Sequence, residues 1–367
     1  MSPNRAQLPV VTATSAAGTV EPGASKKLLQ LRQTFEEARA AIGGAPDLWF
    51  RLAEATVRVR FAGATLAPLL TAPLAHLQTE PTEDPALDLF VWDDASTGVV
   101  TPLPSRPPSL STSDEGVFSY RHGEIEAAYE PSSTLLSAID HTTRCGFLRV
   151  ESPSRLSVRE RTSPFRMILS WWGARRGLQI VHASAVGTPM GGVLIVGRGG
   201  AGKSTTVLSC VGSGLGYAAD DGCLVSDDDR PIVYGMYATA KVERRRSSWF
   251  PRLETAIESA PEGMKGEAVL RLTESFTDAL IRSFPLRGIL VADVRGAGVT
   301  TLEPCSRAEA LQALAPSTIF QFPGVSSRVL ARLTRIVRRT DCYRLALGLD
   351  VSRIPGVIID FLATESS

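Results

Sequence analysis

Apolar and polar residues alternate through Val57-Arg58-Val59-Arg60-Phe61, at the end of the run Trp49 to Phe61, and a period of two predicts a half-buried strand. Further strand candidates in this half are Leu87 to Trp92, Val117 to Tyr120, Glu124 to Tyr129 and Gly146 to Val150. Helices are predicted from Lys27 to about Phe35 and from Leu66 to Leu77, and Thr101 to Ser113, with four prolines, reads as a loop. Residues 1–25 carry Ser, Thr, Ala, Pro and Gly without periodicity and read as a disordered lead-in. Together these place a smaller α+β domain over residues 26–164, with substrate recognition as its expected role.

Helix-period apolar positions return at Phe165 to Gly177, and a second domain, 165–367, is taken to begin there. Leu178 to Val186 reads as one strand, followed by a Gly/Pro turn at 187–191, a strand into Val196 and a helix from Lys203 to about Val211. Gly216 to Asp221 and Cys223 to Val225 look like a strand broken by an acidic turn. Ile232–Tyr234, Leu286–Asp293 and Val299–Leu302 are the remaining strand candidates, and 307–315 and 326–338 have helical patterning.

A chain of 367 residues fits two domains, and 44% apolar with 21% charged residues is the balance of an ordinary globular protein. A net charge of +1 gives no argument for nucleic acid or a membrane surface as partner. No secretory signal and no run of 18 uncharged apolar residues is present, so a cytoplasmic location is expected. The five cysteines are widely spaced and odd in number, which supports neither a metal knuckle nor a disulfide framework.

The chemistry concentrates at Gly197-Arg198-Gly199-Gly200-Ala201-Gly202-Lys203-Ser204-Thr205, which fits G-x-x-x-x-G-K-[ST] and follows an apolar strand. In such a loop, glycines turn backbone N–H groups onto phosphate oxygens, the lysine reaches the β/γ-phosphates and the hydroxyl meets Mg²⁺. Only five of the 39 basic residues are lysines, which makes Lys203 a costly coincidence. A glycine-rich turn without function is the alternative.

Asp220 and Asp221 follow 17 residues after Lys203, the length of one helix and a turn. Paired carboxylates near a γ-phosphate can orient a hydroxyl acceptor and serve Mg²⁺, although Asp-Asp-Gly is also a common turn. His182 lies in an apolar strand that would bring it beside Asp220, as a proton partner or as a satisfied core histidine. Lys241 could meet phosphate or substrate; Arg244 to Arg246, and Arg335, Arg338 and Arg339, read as solvated faces.

The combination of Val181-His182-Ala183-Ser184-Ala185-Val186, the loop and Gly216 to Asp221 resembles HPr kinase/phosphorylase, in its divergent form near peptide-modification genes, over about residues 170–362. The resemblance extends to Cys342-Tyr343-Arg344-Leu345 and Leu347 to Asp350. It implies an α/β fold, a P-loop-containing mixed-sheet core of the HPr kinase and phosphoenolpyruvate carboxykinase type, behind the smaller α+β domain. It also implies a kinase with ATP and Mg²⁺ that phosphorylates a hydroxyl, best a serine of a peptide or small protein. Gly197, Gly199, Gly200, Ala201, Gly202, Lys203, Ser204 and Thr205 would hold the nucleotide. Ser204 and Asp221 would serve the metal, and Asp220, His182 and Lys203 would be catalytic. The family's E-[IV]-R-G-x-G signature is missing from Tyr237 to Pro251, so phosphorylase activity, HPr itself and a hexamer are not carried over; some homo-oligomer remains an expectation. Val294-Arg295-Gly296-Ala297-Gly298 resembles that signature but lies too far downstream. A nucleotide-binding regulator and a small-molecule kinase stand as alternatives.

Overall fold

The run Trp49 to Phe61 makes two strands: β1 (Leu48–Leu52) and β2 (Ala55–Phe61) pair antiparallel across Ala53 and Glu54, whose φ angles are +43° and +63°. Two successive positive φ angles give the tight hairpin turn whose twist matches its strands, made here without glycine. In β2 the apolar members of the alternation are buried and Arg58 and Arg60 half-buried. The computed structural model describes residues 23–102, 111–112, 117–263, 266–296, 298–319 and 326–364. Residues 1–22 of the expected lead-in, and most of the expected loop at 101–113, lie outside these.

The chain is an α/β protein with two mixed sheets. The first adds β3 (Leu87–Asp93), β4 (Ser111–Thr112), β5 (Phe118–His122), β6 (Ile125–Glu130), β7 (Leu135–Asp140) and β8 (Cys145–Val150), in the order β1-β2-β3-β8-β7-β6-β5-β4. Period two sorts β3 onto two cores. Phe90 and Trp92 meet Phe35 of helix α1 (Gly23–Ala41), with the Phe35 and Phe90 rings 5.0 Å apart. Leu87, Leu89 and Val91 face Leu70 of α2 (Ala67–Thr71) on the other side. Helix α1 begins before the expected Lys27 and runs past Phe35. β7 carries no alternation to predict it, because five of its six residues are buried and burial on both faces erases the pattern.

Past α3 (Asp94–Thr97), helices α4 (Val158–Thr162) and α5 (Arg166–Arg175) lead into the second sheet. Its strands are β9 (Leu178–Val181), β10 (Ser184–Thr188), β11 (Gly191–Val196), β12 (Gly216–Ala219), β13 (Cys223–Ser226), β14 (Ile232–Gly235) and three more toward the chain's end. Between them β15 (Thr239–Glu243) and β16 (Glu267–Arg271) form a separate ladder. The long β17 (Ser283–Val294) pairs with β14 at its start, then lies parallel to β11 and to β19 (Asp341–Leu347), which also carries β18 (Thr301–Pro304). The main order is β12-β10-β11-β17-β14-β13-β9. Helix α6 (Lys203–Ser209) packs on one face with α7 (Glu254–Ser259), and α8 (Arg307–Ile319) and α9 (Ser326–Arg338) on the other. The last helix, α10 (Ile354–Thr364), joins α6.

The single strand expected from Leu178 to Val186 is two strands, parted at His182-Ala183 and paired with different partners, β9 with β13 and β10 with β11 and β12. The two halves of the molecule also share a core: Ile180, Leu224 and Met236 join Phe50, Leu74, Trp171 and Trp172. Three hydrogen bonds pin the segment entering β15 to the first half. Tyr237 Oη donates to the Pro164 carbonyl at 2.7 Å, Thr239 Oγ1 to the Thr162 carbonyl at 3.0 Å, and Ala238 N–H to the Pro73 carbonyl at 2.9 Å.

Within the first half, Arg149 is 4% exposed and donates Nε to Asp94 Oδ1 at 3.0 Å, where Thr101 Oγ1 also donates at 2.8 Å. Removing one partner of a buried ion pair strands the other charge, so Asp94→Ala is expected to cost about 3–5 kcal/mol, read from the midpoint of urea unfolding. A loss under about 1 kcal/mol would show that water or a neighbour replaces the carboxylate.

Candidate active site

Every residue of β11 is buried, and where it ends the chain turns through Gly197, Gly200 and Gly202 at φ of +152°, +80° and +99°. Glycine takes these angles without steric cost. A Cβ on Gly202 would strike Leu347 Cδ1, and one on Gly197 would come within 2.9 Å of Ala201 Cβ. A Cβ on Gly199 or Gly200 would meet nothing within 4 Å, and Arg198, Gly199 and Gly200 are exposed. The loop is therefore tight at its ends and open at its crest. Lys203 opens α6 and is buried, its Nζ donating to the carbonyls of Gly197 at 2.9 Å and Arg198 at 3.3 Å. Burial lowers its pKa, while the charges of Asp220 and Asp221 pull it back up. Ser204 and Thr205 follow it, both half-buried.

The acid pair and the histidine meet because of strand register. Val181 lies opposite Cys223 in the β9–β13 ladder and Ala185 opposite Ala219 in the β10–β12 ladder. Each step is four positions along its own chain segment, so both ladders keep one register across a short gap. In that gap, residues 182–184 stand against residues 220–222. Ser184 Oγ donates to the Asp220 carbonyl at 2.7 Å and to its Oδ1 at 3.1 Å. The backbone N–H of His182 donates to Thr318 Oγ1 at 3.0 Å, and that of Lys241 to Asp220 Oδ2 at 3.1 Å.

Sequence reading put His182 beside Asp220, but the carboxylate it meets is Asp221, with Nε2 3.8 Å from Oδ1. The oxygens of Asp220 are taken by Ser184, the Lys241 N–H and the Ser204 hydroxyl. Lys241, read as a phosphate or substrate contact, instead closes an ion pair with Asp221. Ser184 and Thr318 carry no motif of their own; for Ser184 the only signal was its place in the histidine string. Among the arginines, Arg244 caps the carbonyls of Ile257 and Glu258 at 2.8 Å, while Arg245 and Arg246 pair with Glu243.

The two aspartates divide in charge behaviour. Burial lifts the Asp220 carboxyl to about 6, with Asp221's charge adding to it, against hydrogen bonds from Lys241 and Ser204. Asp221 also feels burial, but the charge and hydrogen bond of Lys241, with His182 and Lys203, hold it below the usual range. Burial, aided by Lys203, Lys241 and Arg159 and opposed by Asp221, keeps the His182 pKa below normal, so its imidazole is neutral at pH 7.

Beside Asp221 lies a cleft of about 260 Å³, walled by His182 and Lys241 from the second sheet region and by Arg159 and Arg166 from α4 and α5. Among the described residues no three His, Cys, Asp or Glu side chains gather as a metal cage. A hydroxyl and a carboxylate beside phosphate oxygens suffice for Mg²⁺, which keeps much of its water. Ser204 bonded to Asp220, with ionised Asp221 adjacent, is a hard-oxygen set of that kind. No described helix is long and apolar enough to cross a membrane.

No family model and no curated protein matches the chain. Among solved structures, the HPr(Ser) kinase/phosphatase from Coxiella burnetii aligns with 52% of this chain and 99% of its own at 11% identity, with a TM-score of 0.30. So weak a likeness leaves function to be argued from the site itself.

Because the Asp220 pKa is raised from 3.8 to about 6 on folding, the folded protein holds the proton more tightly across that window. Its stabilising effect is complete below the unfolded value and is lost as pH rises through the folded one. Thermal unfolding of wild type and Asp220→Asn, scanned over pH, should therefore show wild type losing ground steadily between about pH 4 and 6 and no further change above about 7. A difference independent of pH would mean that Asp220 ionises normally.

Proposed function

We propose that this chain is a Mg²⁺-ATP-dependent kinase that transfers the γ-phosphate to a hydroxyl, most naturally a serine of a peptide or small protein. The observation that supports it is the junction of loop and acids: Lys203 and Ser204, at the end of an open glycine loop, sit against the Asp220 and Asp221 carboxylates. Phosphoryl transfer needs positioning and charge stabilisation more than covalent chemistry, and these parts supply both.

In this reading the loop's N–H groups and the Lys203 ammonium hold the β- and γ-phosphates, the ammonium leaving the carbonyls of Gly197 and Arg198. Ser204 and Asp221 would hold Mg²⁺, which when bound would neutralise charge on the phosphate oxygens. Asp220, which meets the Ser204 hydroxyl and the Lys241 backbone N–H, takes the acceptor's proton. A carboxylate at about 6 suits that work, since a base is most effective near the working pH. The acceptor oxygen bonds the γ-phosphorus as the bond to the leaving ADP breaks. The neutral His182 and Lys241 orient Asp221 at the edge of the cleft, where the acceptor enters. The first half, which contributes α4 to that cleft, recognises it.

The test is transfer of label from γ-labelled ATP with Mg²⁺ into protein of a cell lysate. Asp220→Asn is expected to lower transfer by about 10²–10⁴-fold and to keep ATP binding, whereas Lys203→Ala loses both. ATP binding with no labelled product at all would instead point to a nucleotide sensor or a small-molecule kinase.

A further inference from the structure

The segment that resembles the missing signature, Val294 onward, lies beside the glycine loop. β11, β17 and β19 are neighbours and parallel, so their carboxyl ends, Val196, Val294 and Leu347, emerge on one edge of the sheet. A Cβ on Gly202 would stand 3.3 Å from Val294 Cγ2 and would strike Leu347. Arg295 N–H donates to the Leu347 carbonyl at 3.3 Å, and Gly348 N–H to Thr300 Oγ1 at 3.1 Å. A Cβ on Gly348 would come within 3.1 Å of the Val299 backbone carbon. These contacts join the ends of β17 and β19 and the start of the next loop into one ledge.

Three apolar side chains of the ledge are open to water, flanked by the ion pairs Arg295–Asp293 and Arg353–Asp350. Val294 is 55% exposed, Val299 63% and Leu349 75%. A single exposed hydrophobe is ordinary, but three grouped against a ligand loop mark a surface that gains by being covered. Strand order says what lies over it. The acids follow β12, reached from β11 through β10, whereas β17 and β19 stand on the opposite side of β11. A triphosphate in the loop with its transferable end toward Asp220 therefore sends its remaining part out over β17 and β19. Ligands of open α/β sheets occupy this crevice beyond the strands' carboxyl ends.

We propose that this ledge is the nucleoside subsite, where the base and ribose of the bound nucleotide cover Val294, Val299 and Leu349. The proposal rests on the reading of the glycine loop as the phosphate site. It gives the surface one occupant, held by apolar contact with few polar anchors, as is usual in small-molecule pockets.

The experiment compares binding of Mg²⁺-ATP and of inorganic tripolyphosphate with Mg²⁺ by calorimetry, in wild type, Lys203→Ala and the double variant Val299→Ser/Leu349→Ser. Both serines are neutral and replace exposed side chains, so folding and phosphate repulsion are not at issue. The double variant is expected to weaken ATP by about tenfold or more while tripolyphosphate binds as in wild type. Lys203→Ala should weaken both probes. Unchanged ATP affinity in the serine variant, or equal losses for the two probes, would overturn the subsite. If Lys203→Ala spares both probes, the phosphate-loop reading fails and the subsite with it.

Discussion

Two antiparallel ladders that share one register and part company for three residues are the constraint on which the site depends. At the gap residues 182–184 and 220–222 are not paired as strands with one another, in a largely buried region where unpaired polar groups are costly. Side chains take over: Ser184 bonds the Asp220 carbonyl, Thr318 the His182 amide, and the Asp220 carboxylate the Lys241 amide. The acids are thus part of what closes the sheet, and their places follow from the pairing on either side.

Crowding of charge follows from that placement. Two adjacent carboxylates in a poorly hydrated corner cannot both ionise easily, and the protein resolves the conflict unequally. Asp221 has the Lys241 ammonium and stays ionised, while Asp220, 2% exposed, has mainly neutral donors and is lifted. Paired groups whose surroundings push their pKa values apart are well suited to divided roles, one as base and one as metal-side anion. Lys203 lies within reach of both fields, and this links the glycine loop to the acids electrostatically as well as in space.

The first half bears on this arrangement through β15. Its lead-in is tied to Pro73, Thr162 and Pro164, and its third residue is Lys241, so the lysine that sets Asp221 is held by the first half. The shared core around Trp171, Trp172 and Met236 makes that hold rigid, because close-packed interiors transmit displacement rather than absorb it. Arg166, at the cleft, is itself paired with buried Glu130 of β6 at 3.1 Å, a second connection from the first sheet to the cleft wall.

What the sequence determined by itself was local. The glycine loop, the strand before it, the helix from Lys203, the break at Asp220 and Asp221 and the helix at 326–338 were all legible, since turn chemistry and apolar period are written in neighbouring residues. β7, buried on both faces, was not read for want of alternation, and β19, half-buried at Tyr343 and Arg344, was met only as a motif. Leu178 to Val186 looked continuous because both of its pieces are buried and apolar; only the pairing of each with a different partner breaks it at His182. Which acid meets the histidine, that Lys241 serves the acids, that Ser184 backs Asp220 and that Val294 lies against Gly202 were decided by tertiary structure. Those contacts join residues 20 to 92 positions apart, and such distances close only when strand order and register are set.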